Sequence, residues 1–430
     1  MNATARSRAV DGLAFALVLA AVSALLWRAL GLHASDAAAA LGAAGGSYVV
    51  RTVASGAIVL GVVSGVLGTL AVTRGQSLLG DVASHAALPG IYGMFVAWSL
   101  AGMGGLVVGP LVFPAARSLI VVLLGALLSA LAAAALVAAV RRRTALHEDA
   151  ALGVALSTFF GAGIVARSLL QSHSGAFPNR AGLEAFLYGS VATMTRQDVF
   201  FLAMLSGLVL VVVALFWKEL GLLCFDPDYL ATLGFRARAL DALLSGLIVV
   251  TVVIGLQLVG VILMSALLIA PAVAARQWSD RLARVAGIAV VVAVAAGLVG
   301  VLASSSRDHV ATGPAIAVHA ACVALASVML APRRGVLWSA LAAIARARDF
   351  ATDTLLLHLT HHGRPVNDAE LARQLGWPAA RVARAARPAL GAEWLARSDA
   401  GLVVTDAGRE RAVDVLAALQ PATTTAEPAR

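Results

Sequence analysis

The chain has 430 residues, of which 60% are hydrophobic and 13% charged, with a mean hydropathy of +0.90 and a formal net charge of +9. Soluble globular proteins carry about 25% charged residues, so this composition excludes a water-soluble enzyme and points to a multi-pass membrane protein. Its two cysteines, Cys224 and Cys322, are too few and too far apart for a disulfide framework or a cysteine-rich metal cage, which leaves histidine, carboxylates and backbone for any hard chemistry.

At about 20 apolar residues per crossing, the sequence predicts ten spans, near 11–32, 51–72, 78–100, 118–140, 149–170, 199–217, 241–257, 258–275, 284–303 and 312–331. The seventh and eighth adjoin so tightly that nine is the other count. Arg6 and Arg8 precede the first span and no clear small-x-small cleavage site follows it at the usual distance, so it reads as a retained span rather than a signal peptide. Starting in the cytoplasm, this order puts Arg74, Arg141 to Arg143, Lys218 to Arg238, Arg276 to Arg284 and Arg333-Arg334 on the cytoplasmic side, as the positive-inside rule demands.

In the second span, Gly61 and Gly65 form a small-xxx-small pair that predicts close approach of another helix. The third span carries Asp81 and His85 four residues apart, followed by Pro89-Gly90. A carboxylate at bilayer depth costs about 2.5 to 3.5 kcal/mol on insertion scales, so it needs protein packing or a place on a transport path. At i and i+4 on a helix the two side chains share a face about 5 to 6 Å apart at Cβ, within reach of one cation. The alternative is an Asp–His hydrogen bond that locks the helix. Pro89-Gly90 predicts a break or kink just after His85.

Lys218, the single lysine, sits in Trp217-Lys218-Glu219 with no glycine-rich loop before it, so a GxxxxGK[ST] phosphate loop is excluded. Cys224 to Phe235 is an amphipathic segment between spans, with Phe225, Tyr229, Leu230 and Leu233 on one side, Asp226 as its cap and Gly234 as its end. His319 in the last span suits a helix–helix hydrogen bond. His33, His173 and His309 fall in or near extracytoplasmic loops, and Glu184 in a loop suited to gating or docking.

From Pro332 the apolar runs end, and residues 345–420 read as a small cytoplasmic domain. Helices are predicted over Asp349 to His362, Asp368 to Leu375 with Asp368 as cap, Pro378 to Leu390, and Asp406 to Leu419, with a short strand at Gly401 to Thr405. Helices followed by a strand hairpin make a winged helix-turn-helix the simplest architecture. The stretch 421–430, rich in Thr, Pro and Ala, is expected to be disordered.

Residues 48–330 resemble the integral membrane permeases of ABC importers for manganese, zinc and iron. The strings that carry this are Ser77-Leu78-Leu79-Gly80-Asp81-Val82-Ala83-Ser84-His85 through Gly90, and Leu256-Gln257-Leu258-Val259-Gly260 through Ala272. Glu148-Asp149-Ala150, Leu183 to Gly189, Phe225 to Tyr229 and Thr312-Gly313-Pro314 support it in the family's order. Leu230 stands where an alanine is common, and Ala311 where a proline often precedes Thr-Gly-Pro.

The resemblance implies an all-α polytopic permease domain over 1–335 in a bacterial plasma membrane. Such a permease is not an enzyme: it receives metal from an extracytoplasmic binding protein, is driven by a separate ABC ATP-binding subunit, and pairs with a second permease copy or a paralogue. Asp81 and His85 would be its metal ligands, and Phe225, Asp226, Tyr229 and Gly234 would belong to the helix that couples to the ATPase. A carboxylate with a neutral imidazole suits Mn²⁺, Zn²⁺ or Fe²⁺ as transported cargo, with no permanently bound cofactor. The tail resembles winged-helix domains of iron- and manganese-dependent repressors through Glu370 to Trp377 and Val404 to Arg409; some manganese-type permeases are similar in carrying such an extension, which tilts the metal towards manganese.

Arg381, Arg384 and Arg387 suit phosphate contacts. Pro388, however, is expected to interrupt their helix, and acidic residues nearly balance the arginines, so a protein contact is favoured over nucleic acid. A membrane-tethered, metal-responsive regulator with a DNA-binding tail is the competing reading.

Overall fold

The computed structural model describes residues 3–29, 42, 47–101, 107–108, 111–112, 119–172, 194–306, 310–332 and 334–419. Two compact units divide at Gly335 and Val336.

Among the described residues the first unit holds ten long helices, one for each span in the sequence reading. In chain order they are α1 (Ala3–Ala29), α2 (Tyr48–Arg74), α3 (Leu79–Leu100), α4 (Leu119–Arg143), α5 (Glu148–Ser172) and α6 (Arg196–Leu215). Two short helices, α7 (Trp217–Phe225) and α8 (Pro227–Thr232), precede α9 (Ala237–Val259), α10 (Val261–Arg276), α11 (Leu282–Ser306) and α12 (Thr312–Leu330). Two-residue strands β1 (Val107–Val108) and β2 (Leu111–Val112) pair antiparallel between α3 and α4. Among the described residues, eight helices are long and apolar enough to cross a membrane. The other two are α3, with Asp81 and Pro89 inside it, and the shorter α10.

Small residues fix the crossings, because lipid tails supply no hydrophobic force between helices and close backbone contact must replace it. The Gly61 and Gly65 stripe lies on α11: a Cβ on Gly65 would stand 2.6 Å from Val290 N, and one on Gly61 2.9 Å from Val294 N. Gly68 meets the Leu268 carbonyl of α10 in the same way.

Of the break or kink expected at Pro89, the break does not occur; α3 runs through it to Leu100. Glycines on the neighbouring helices make room there. The Gly163 Cα of α5 faces Leu88 and Pro89, and Gly90 and Gly125 pack backbone to backbone between α3 and α4. The ring is therefore seated in a helix–helix crossing, and packing holds the helix despite the missing N–H.

One end of this bundle is tied by charge. Asp241, in the second turn of α9, accepts from Arg74 Nε at 3.1 Å and Gln76 Nε2 at 3.2 Å, and Arg141 Nη1 stands 3.9 Å away. Arg276 donates to the Val72 carbonyl at 3.2 Å. The ends of α2, α4 and α10 and the start of α9 thus lie together, an arrangement the alternation of spans requires.

The second unit consists of α13 (Val336–His362), α14 (Asp368–Leu375), α15 (Ala379–Gly391), the antiparallel strands β3 (Leu395–Ser398) and β4 (Gly401–Val404), and α16 (Asp406–Leu419). Its own core gathers Leu355, Leu356, Leu359, Val366, Leu371, Val382 and Leu402. Val366 bridges Leu402 with reciprocal N–H···O bonds of 3.2 and 2.9 Å, laying a third extended segment beside β4. Gly401, at φ +130°, is needed there, since a Cβ would collide with the Val366 carbonyl.

Three expectations change. With no glycine or proline between Val336 and His362, the first helix begins well before Asp349. Asn367 rather than Asp368 caps α14, its side chain accepting from Glu370 N at 2.8 Å. Pro388 lies inside α15, which continues to Gly391; the carbonyl it deprives belongs to exposed Arg384, where solvent can satisfy it. The 421–430 stretch lies outside the described residues.

Candidate functional site

Asp81 sits in the first turn of α3, seven residues after Arg74, so the carboxylate is near the charge-tied end of the bundle rather than at its middle. A helix N-terminus favours a negative side chain there. His85, one turn on, brings Nε2 to 3.5 Å from Asp81 Oδ1. Both side chains are partly accessible, at 27% for Asp81 and 21% for His85. His85 Nδ1, in contrast, is buried and has no hydrogen-bond partner. Phe160 of α5 holds the imidazole edge-on with ring centroids 4.9 Å apart.

That face of α3 continues along the helix into an apolar recess of about 520 Å³ between α3 and α5, lined by Tyr92, Val96, Ala166 and Leu170 among others. The pair can therefore offer an anionic oxygen and an imidazole to one cation from a surface that is open on one side. Among the described residues no group of three or more His, Cys, Asp or Glu side chains is gathered to hold a metal. Two donors bind weakly and release readily, and a full coordination sphere needs water or a second chain.

The segment between α6 and α9 presents a different surface. Asp226 Oδ1 accepts from Tyr229 N at 2.8 Å with Pro227 in the first turn, which starts α8. Gly234, at φ +85°, follows its end. Phe225, Tyr229 and Leu233 are 63%, 52% and 52% exposed, whereas Leu230 is fully buried. Leu230 thus belongs to the inward face, not to the apolar side with the other three; it anchors the segment that the rings protrude from. Beside α8 lies a polar recess of about 450 Å³ lined by Arg74, Arg141, Arg142, Asp228, Arg238 and Asp241.

His319 is buried in α12, and its Nε2 lies 2.9 Å from Ser23 Oγ of α1, a helix–helix link rather than a metal contact. His33, His173, His309 and Glu184 lie outside the described residues. Sequence reasoning missed Asp241, which organises the arginines. The available signal was a lone carboxylate in the opening turn of a span whose flank, Arg236 and Arg238, is basic.

Taken together, this is a predominantly helical, multi-pass membrane protein with a carboxylate–imidazole pair on one helix and a capped, aromatic-studded helix between two spans. The chain belongs to the ABC 3 transport family, whose profile matches residues 46–331. It is 40% identical over 293 residues to the zinc transport system membrane protein TroC of Treponema pallidum, covering 68% of this chain and 92% of that protein. To the manganese transport system membrane protein MntC of Bacillus subtilis it is 37% identical over 305 residues, 71% of this chain and 66% of that one. Among solved structures it resembles PsaBC from Streptococcus pneumoniae in complex with Fab, at 25% identity and a TM-score of 0.56, over 69% of this chain and 97% of that chain. The family match takes in α2 to α12 and leaves out α1 and the second unit.

Proposed function

We propose that the chain is the permease subunit of an ATP-driven importer for a divalent transition metal in a bacterial plasma membrane, manganese first and zinc or iron next. The observation that carries this is the Asp81–His85 pair, 3.5 Å apart with a buried imidazole nitrogen left without a protein partner. Both side chains are partly accessible on one face of α3, so an anionic oxygen and an imidazole are open to one cation together. Carboxylate with imidazole accepts Mn²⁺, Zn²⁺ and Fe²⁺ alike. The relatives' names, zinc for one and manganese for another, support the class of cargo.

In this reading Asp81 and His85 contact the cation as it passes, and a second permease copy or paralogue completes the pore and its ligand set. The metal arrives from an extracytoplasmic binding protein. Phe225 and Tyr229 insert into a separate ABC ATPase subunit, with Asp226 and Gly234 fixing the ends of the short helix that carries Tyr229 and follows Phe225. Hydrolysis is the partner's work, and the cation is cargo rather than cofactor. The arginine-tied end of the bundle faces the cytoplasm, as does the second unit, which we read as a winged helix that contacts protein. The match of the family profile to the membrane region favours transport over a membrane-tethered regulator.

The test is uptake of Mn²⁺, Zn²⁺ and Fe²⁺ by cells expressing the chain with its ATPase and binding protein. Accumulation of one of these above the empty-vector level is expected. Accumulation of none, with the assembled complex present in the membrane, contradicts the reading.

A further inference from the structure

The last two turns of α13 carry His358, His361 and His362. His358 and His362 stand at i and i+4, on one face, with ring centroids 4.6 Å apart. Across from them, His358 Nε2 lies 2.8 Å from Gln374 Oε1 of α14. Gln374 Nε2 in turn donates to Glu370 Oε1 at 3.0 Å, and Arg364 Nη2 donates to the same carboxylate oxygen at 2.8 Å. An amide oxygen of α14 thus meets one imidazole of α13, and the second imidazole packs against the first.

The backbone beneath this cluster is fixed. Leu355, Leu356 and Leu359, interleaved with the histidines, are fully buried in the core of the second unit. Gly363, at φ +62°, ends the helix, its N–H returning to the Leu359 carbonyl. His358 and His362 are half-buried and His361 is exposed, so the face is both held and open to solvent. Being the C-terminal end of a helix, it also favours positive charge.

We propose that His358 and His362 form a binding site for a borderline divalent cation of the Zn²⁺, Ni²⁺ or Cu²⁺ type, with Gln374 supplying an oxygen and water the remainder. Histidines one turn apart chelate such ions from a single helix face, the spacing used by HExxH zinc sites. Imidazole selects these ions over Mn²⁺, which prefers carboxylate and water. No third His, Cys, Asp or Glu is gathered at the cluster among the described residues, and Glu370 is occupied by Arg364 and Gln374, so the site is exchangeable rather than structural. An ion there binds the tautomer whose proton has shifted through solvent from His358 Nε2 to Nδ1, and the His358–Gln374 hydrogen bond gives way to two metal bonds. That pins α13 to α14 when the ion is present.

The site is independent of the Asp81–His85 reading, and the experiment keeps them apart. The untagged full-length chain in lipid nanodiscs, carrying Asp81→Ala and His85→Ala, is titrated with Zn²⁺ by calorimetry and with Cu²⁺ by electron paramagnetic resonance. One Zn²⁺ site per chain is expected, with a Cu²⁺ spectrum split by two imidazole nitrogens. Adding His358→Ala with His362→Ala is expected to weaken Zn²⁺ binding by about tenfold or more, a loss of the size seen when metal-site groups are removed, and to abolish the splitting. His361→Ala is expected to leave both unchanged. His358→Asn with His362→Asn, checked by circular dichroism, gives a polar replacement should the alanine pair fail to fold. Absence of a Zn²⁺ site before the tail substitutions, or equal binding after either folded pair of them, overturns the proposal.

Discussion

His85 and Asp81 face each other one helical turn apart, Nε2 to Oδ1 at 3.5 Å, while the other nitrogen of the same imidazole is buried against α5 with no protein partner. The geometry separates two jobs for the pair. If it only locked α3, Asp81→Asn would keep a hydrogen bond to His85 and cost little. As a cation site it loses its anionic oxygen, so Asp81→Asn is expected to lower transport strongly while leaving thermal stability nearly unchanged; a thermal melt beside an uptake assay reads both.

Gly65 is expected to be among the least replaceable residues of the bundle. Its missing Cβ lets α11 approach to where Val290 N would be 2.6 Å away. Gly65→Val forces the helices apart and is expected to destabilise by about 1–3 kcal/mol, the range for overpacked cores. Gly153, with open space around its Cα, is the control and is expected to accept alanine without loss. The melting temperature in detergent, or the fraction of chain surviving size exclusion, gives the comparison.

Asp226 has two separable roles. Its side chain caps α8, and removing an N-cap costs about 0.5–2 kcal/mol. Asp226→Asn keeps the cap and is expected to keep transport, whereas Asp226→Arg is expected to leave the ATPase hydrolysing without metal uptake. Hydrolysis and uptake measured on the same proteoliposomes distinguish the two substitutions.

Asp241→Ala removes the acceptor shared by Arg74 and Gln76 and the counter-charge of Arg141. The charged groups are only partly buried, so the Arg74 and Arg141 pairs are screened and worth about 1 kcal/mol or less each. The loss of stability is expected to be largest at low ionic strength and to fade as salt rises. A salt series of thermal melts for wild type and variant checks this.

Burial pushes the Cys224 thiol up to about 11 from an ordinary 9.0, with Asp241 adding to the rise and Arg74 opposing it. The thiol donates to the Leu70 carbonyl at 3.6 Å. Only the thiolate is a nucleophile, so at pH 9 about one molecule in a hundred is reactive in the folded chain, against about half for an ordinary thiol. Alkylation of Cys224 is expected to be negligible at pH 7 and to climb between pH 9 and pH 11. Because folding raises this group, its contribution to stability is present below pH 9 and is lost as pH climbs through 11.

The span pattern was legible because hydropathy over 20 residues is a strong, local signal, and the Gly61 and Gly65 spacing announced a crossing before its partner helix was known. What could not be read was anything decided by a distant neighbour. Pro89 looked like a break because Gly163 and Gly125, which make room for it, lie more than 30 residues away. Leu230 looked like part of an exposed apolar face, and its burial reflects packing from outside its own helix. Asp241 showed only a lone carboxylate beside a basic flank, and its partners Arg74 and Arg141 come from other spans. In the second unit, Asn367 took the cap from Asp368 by a single residue, and the Val366–Leu402 bridge was invisible to periodicity because one residue cannot alternate.

The central claim is that a cation touches Asp81 and His85 on its way through. Uptake of radioactive manganese, zinc and iron should be compared in cells expressing the complete transporter with wild-type, Asp81→Ala or His85→Ala permease, at matched membrane levels. The account predicts that the metal taken up by wild type is lost in both variants, by about tenfold or more as for removal of a metal-site group. Unchanged uptake in both would reduce the pair to a helix-locking contact and contradict the account.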